Sequence, residues 1–135
     1  METEQTRDLI TRYYAALRKG DRDTLATLVA DDCVWEPPAS APLATMTGGP
    51  AIVAELAGNV VKTTFDLSEP FAVDVRSMIV DGDTAAVQQR ITATAKATGA
   101  HYDNQYCWIH TCRDGQIVHM EEYADTLVAK AAMGW

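Results

Sequence analysis

Residues 84–98 read TAAVQQRITATAKAT, and the period of this stretch decides the fold. Ala85, Val87, Gln89, Ile91 and Ala93 fall on one side, and Ala86, Gln88, Arg90, Thr92 and Thr94 on the other. Strand side chains alternate between two faces, so a period of two over this length marks a long strand. Asp81-Gly82-Asp83 ahead of it reads as a hairpin turn. Residues 65–80, ending in Ile79-Val80, hold one or two strands that lead into that turn. Downstream, Gly99 begins a turn and residues 101–112 form the next strand. Arg113-Asp114-Gly115 is the following turn, 116–125 the last strand, and 126–135 a short helical or extended tail.

Upstream of residue 65 the period is that of a helix. Leu9, Ile10, Tyr13, Tyr14 and Leu17 make one wide apolar stripe. Thr3 is placed to cap this first helix. Lys19-Gly20-Asp21 ends it, with Gly for a left-handed cap and Asp as the next N-cap. A second short helix carries Leu25, Leu28 and Val29 and ends near Ala30-Asp31-Asp32. Cys33-Val34-Trp35-Glu36 is β-prone, and Pro37-Pro38 stops it. Residues 37–50, rich in Pro and Gly, form a loop long enough to be a lid or pocket wall. Residues 51–62 form a third helix, with Pro50 in its first turn. Helices first and a strand meander second predict an α+β fold: a cone-shaped, curved antiparallel sheet with the N-terminal helices on one face, enclosing a cavity.

The chain has 135 residues, 47% hydrophobic and 22% charged, which suits one globular domain spanning 1–135. Its net charge of −8 opposes nucleic-acid binding and attachment to anionic membranes. No apolar run reaches the roughly 18 residues of a membrane span. METEQTRDLI has no apolar core for a secretory signal, and the three cysteines form no CxxC. The expected setting is the cytoplasm, with reduced thiols. His101, His110 and His119 have no ligand-like spacing, so neither metal nor cofactor is expected.

Three segments occur in a telling order: YYAALRKGD at 13–21, ADDCVWEPP at 30–38 and DGQIVHMEEYAD at 114–125. With them the chain resembles the NTF2-like superfamily, and within it the SnoaL-like and ketosteroid-isomerase-like proteins. The resemblance spans about residues 5–128. It implies a cofactor-independent acid–base enzyme acting on a small apolar carbonyl compound, expected to form a homodimer through its open sheet. The steroid-isomerase pattern is incomplete: Tyr13 stands where its tyrosine would, but Pro37 replaces the base and Cys107 the late acid. The limonene-epoxide-hydrolase pattern is broken too, since Arg90 and Glu122 fit but Thr92 replaces the second acid. The SnoaL-type pattern needs only one acid on the last strand, and Glu122 matches it, with His110 or His119 as a partner. A binding or assembly module without chemistry is the competing reading.

Glu122 shares its strand face with Val118, Met120 and Ala124, surroundings that desolvate a carboxylate and raise its pKa. The expected catalytic set is Glu122 as proton shuttle, with Arg90 and Tyr13 stabilising developing negative charge. Tyr13 and Tyr14, being adjacent, are not expected to face the cavity together. On strand 101–112 one face carries Tyr102, Asn104, Tyr106, Trp108 and His110, and the other Asp103, Gln105, Cys107, Ile109 and Thr111. Aromatic content points to the first face, and superfamily analogy to the second. The expected binding residues follow the second: Asp103, Gln105, Cys107 and Ile109, together with Trp35 and Met120.

Overall fold

A computed structural model describes residues 1–135. The chain folds with α1 (Thr3–Lys19) and α2 (Arg22–Leu28) first, then β1 (Val29–Glu36) and β2 (Met46–Thr47). A third helical run follows, made of α3 (Gly49–Ala54), a π-helical segment (Glu55–Asn59) and α4 (Val60–Thr64). The meander is β3 (Ala72–Asp81), β4 (Thr84–Thr94), β5 (His101–Arg113) and β6 (Gln116–Ala124), and α5 (Thr126–Met133) closes the chain. The six strands form one curved sheet in the order β2-β1-β6-β5-β4-β3. Every pairing is antiparallel except β1 with β6, which is parallel. This is the predicted α+β architecture.

The turns form where the sequence placed them. Gly20 takes φ 65 at the end of α1, and the Asp21 side chain accepts from the Thr24 N–H at 3.1 Å to start α2. Asp114 and Gly115 both take positive φ, the conformation a two-residue hairpin demands. Three boundaries move. Glu2, not Thr3, precedes α1, and its N–H donates to Gln5 Oε1 at 3.0 Å. Thr3 instead accepts from the Gly82 N–H at 2.9 Å, while Thr6 donates to the Gly82 carbonyl at 2.6 Å. The two threonines thereby fasten α1 to the β3–β4 turn. The second helix ends at Leu28, and β1 begins at once, because Val29 is already paired with Ile117 of β6.

The inner face of the sheet is the one the alternation of residues 84–98 marks. Ala85, Val87, Gln89 and Ala93 are buried, whereas Gln88 and Arg90 are exposed. On β5 the buried positions are Tyr102, Asn104, Trp108, His110 and Cys112. Two apolar clusters hold the layers together. The larger joins α1, α2, β1 and α3 to the sheet through Ile10, Leu25, Val29, Ile52, Ile117 and their neighbours. The smaller gathers Phe65, Ala93, Ala95 and Tyr102 against Ala129 and Ala132 of α5. No helix is long and apolar enough to cross a membrane.

Candidate active site

Between helices and sheet lies a cavity of about 800 Å³, and 23 of its 31 lining residues are hydrophobic. Both apolar clusters contribute to its wall: Tyr13, Trp35 and Trp108 from one, Phe65, Tyr102 and Ala129 from the other. Leu43, Phe71, Val73 and Trp135 also line it and are 48%, 37%, 36% and 41% exposed, so they mark its mouth.

Glu122 points into this cavity from β6. Trp108 stands directly opposite it on β5, and Trp35 Nε1 on β1 donates to its Oε1 at 3.1 Å. Burial raises the carboxyl to about 7, and the Trp35 hydrogen bond opposes that rise. Only two other charged residues, Arg18 and Asp74, line the cavity, and both are exposed.

Tyr13 and Tyr14 both line the cavity, contrary to the expectation that neighbours on a helix exclude one another. The α1 stripe is wide enough to bury both, with the rings edge to face at 5.0 Å. The Tyr13 hydroxyl donates to Met120 Sδ at 3.8 Å. Met120 does not line the cavity and sits behind Tyr13 in the core. Tyr14 Oη meets His110 Nε2 at 2.7 Å. His110 is thus the histidine that points inward. Its Nδ1 is the one buried side-chain polar atom without a partner, and burial lowers its pKa to about 3.

The remaining expected residues lie on the opposite face of the sheet. Arg90 does not approach Glu122; its Nη2 pairs with Asp103 Oδ2 at 2.6 Å, and its Nε donates to Asp103 Oδ1 at 2.8 Å. Gln105 accepts from Arg76 Nη1 at 3.0 Å. Cys107 and Ile109 share that outer face and are absent from the cavity wall. The physical reason is a polar network that alternation does not reveal. Tyr102, Asn104 and Tyr106 satisfy one another's polar atoms, so this face is buried despite its chemistry. The aromatic content of that face was the signal that marked it. Gln89, opposite Tyr106 on β4, also enters the cavity wall and was not expected there.

Outside the cavity, His119 Nε2 lies 2.9 Å from Glu36 Oε2 and its Nδ1 3.4 Å from Glu121 Oε1. These three groups, brought together by the parallel pairing of β1 and β6, could together hold a metal ion. Spacing along the chain did not disclose them.

The SnoaL-like domain family matches residues 10–120. The chain belongs to that family. Solved structures agree on the fold. An NTF2-like protein from Burkholderia xenovorans LB400 superposes with a TM-score of 0.82 at 22% identity, covering 98% of both chains. A candidate SnoaL-like polyketide cyclase from Jannaschia sp. CCS1 gives 0.80 at 20%, over 97% of this chain and 92% of that one. An epoxide hydrolase of the limonene-epoxide-hydrolase type from M. tuberculosis gives 0.73 at 18%, over 97% and 90%. No curated protein matches the chain by sequence. At these identities the SnoaL-like chain shares a fold with proteins of several activities, so the site must argue for itself.

Proposed function

We propose that this SnoaL-like protein is an acid–base enzyme for a small apolar carbonyl compound, with Glu122 as the proton shuttle. One observation carries the reading: Glu122 is the one carboxylate of the cavity wall that is not exposed, set among largely apolar neighbours and raised to about 7 by desolvation, with no cation among the causes of that shift. A carboxyl group in that range is a competent base and, once protonated, a competent acid near neutrality. The ionised form takes a proton from the carbon next to the carbonyl. The C–H electron pair moves toward the carbonyl oxygen, and the resulting acid returns the proton at another position. Isomerisation, aldol cyclisation and dehydration all begin with this step. Epoxide opening of the hydrolase type is less well supported, because Arg90 is committed to Asp103 on the outer face.

The test is exchange of the protons next to the carbonyl of apolar ketones in D2O, followed by NMR. Exchange is expected to rise with pH through about 7 and then level off. Glu122→Gln keeps the shape and removes the base, and is expected to slow exchange by about 10²-fold or more. An unchanged rate in that variant would sink the role of Glu122.

A further inference from the structure

We propose that Tyr106 is the group that donates a hydrogen bond to the substrate's carbonyl oxygen, and that Asn104 and Tyr102 fix its hydroxyl in that direction. The inference rests on the carbonyl reading above, and it follows from counting hydrogens along one chain of contacts.

The start of the chain is unambiguous. Asn104 Nδ2 faces the Asp125 carbonyl oxygen at 3.1 Å, and Oδ1 receives the Gln105 N–H at 2.8 Å. A carbonyl only accepts and a backbone N–H only donates, so these two partners set the orientation of the amide. The amide nitrogen has two hydrogens. One goes to Asp125, and the other to Tyr102 Oη at 2.7 Å. Tyr102 therefore accepts from Asn104. Its own hydrogen needs an acceptor, because Tyr102 is fully buried and cannot turn to water. The acceptor is Tyr106 Oη, its remaining hydrogen-bond partner. Tyr106 in turn has accepted, and its own hydrogen is left over. Tyr106 is only partly buried and lines the cavity, so that hydrogen has the cavity to go to.

The opposite direction strands a donor. If Tyr106 donated to Tyr102, the Tyr102 hydrogen would remain unpaired, because Tyr102 borders the cavity yet keeps no surface open to water, a costly arrangement for a buried donor. Cooperative polarisation along Asn104, Tyr102 and Tyr106 makes the last hydroxyl a better donor than an isolated phenol. Burial raises both phenols above their ordinary value, so both stay protonated. Position completes the case. Tyr106 stands opposite Ala124 and Glu122 opposite Trp108, so Tyr106 and Glu122 are diagonal neighbours on the inner face. Such neighbours are about 7–8 Å apart at the backbone, within reach of side chains this long. A carbonyl compound set between them meets the base at its carbon and the donor at its oxygen. The Tyr13 hydroxyl, turned to Met120 in the core, is not placed to do this.

The experiment uses acetophenone as the probe and the infrared stretch of its carbonyl as the readout. Bound to the unaltered protein, the stretch is expected to shift to lower frequency than in an apolar solvent. Tyr106→Phe is expected to abolish the shift while quenching of tryptophan fluorescence still reports binding. Tyr102→Phe and Asn104→Leu are expected to reduce it. Glu122→Gln is expected to keep it, so failure of the proton-shuttle reading and failure of this one are told apart. A shift that survives Tyr106→Phe, or that disappears in Gln89→Leu instead, overturns the proposal. A second measurement needs no ligand. The hydroxyl proton shared by the two tyrosines should show its NMR cross-peaks to the ring protons of Tyr102. Cross-peaks to Tyr106 instead overturn the assigned direction.

Discussion

Glu122 and His110 face the same interior and pull stability in opposite directions with pH. Glu122 rises from 4.5 to about 7 on folding, so the folded state holds that proton more tightly than the unfolded chain. Stability from this group is greatest below pH 4.5 and is lost as pH climbs to about 7, a total of about 3 kcal/mol. His110 falls from 6.5 to about 3, so the unfolded chain takes that proton first and stability drops as pH falls through that window. Urea midpoints at pH 4 and pH 8 should separate the two. Glu122→Gln is expected to be more stable than the parent at pH 8 and similar at pH 4, with only the acid-side loss remaining. A parent-like midpoint at pH 8 would mean that Glu122 is not desolvated. Glu122 was legible in the sequence because its strand neighbours Met120 and Ala124 are apolar. Tyr106 was marked only by the aromatic content of its face, because what fixes its hydroxyl is Tyr102, four residues away along the strand, and not its own hydropathy.

Among the strands, alternation identifies the inner face wherever one face is plainly apolar, as on β4. On β5 it does not, because both faces mix aromatic and polar groups and the hydrogen bonds among Tyr102, Asn104 and Tyr106 decide burial. The end of α2 was missed because Val29 and Ala30 suit helix and strand alike; pairing with a strand 88 positions on tips the balance. The third helical run begins at Gly49, two residues ahead of the expected start at residue 51, and that glycine yields a prediction. Gly49 begins α3, and a Cβ there would lie 2.2 Å from the Ala30 carbonyl oxygen of β1. Backbone cannot yield as a flexible side chain does, so helix and strand would have to part. Gly49→Ala is expected to cost about 1–3 kcal/mol or more, read as a lower urea midpoint. An unchanged midpoint would show that α3 is free to shift along β1.

For the molecule as a whole, the helices-then-meander order was enough to predict a cavity, but not which strand faces furnish it. A cavity of this size leaves its lining side chains with fewer packing partners than a filled core, which costs stability. Ile91 lies on the inner face of β4 and on the cavity wall. Ile91→Trp is expected to fill part of the space, raising the thermal midpoint or leaving it unchanged while acetophenone no longer quenches tryptophan fluorescence. Retained quenching would place the bound ketone elsewhere in the cavity. The parallel pairing of β1 with β6 has a further consequence during synthesis. The first strand leaves the ribosome about ninety residues before its parallel partner, and until then that edge stays unpaired beside three nascent helices. Trp35 travels on the early strand and Glu122 on the late one, so the bond between them is among the last that a growing chain can make. A truncated chain ending before β6 lacks the carboxylate altogether, so the cavity acquires its one inward acid from β6 only after the helices and the rest of the sheet have been made.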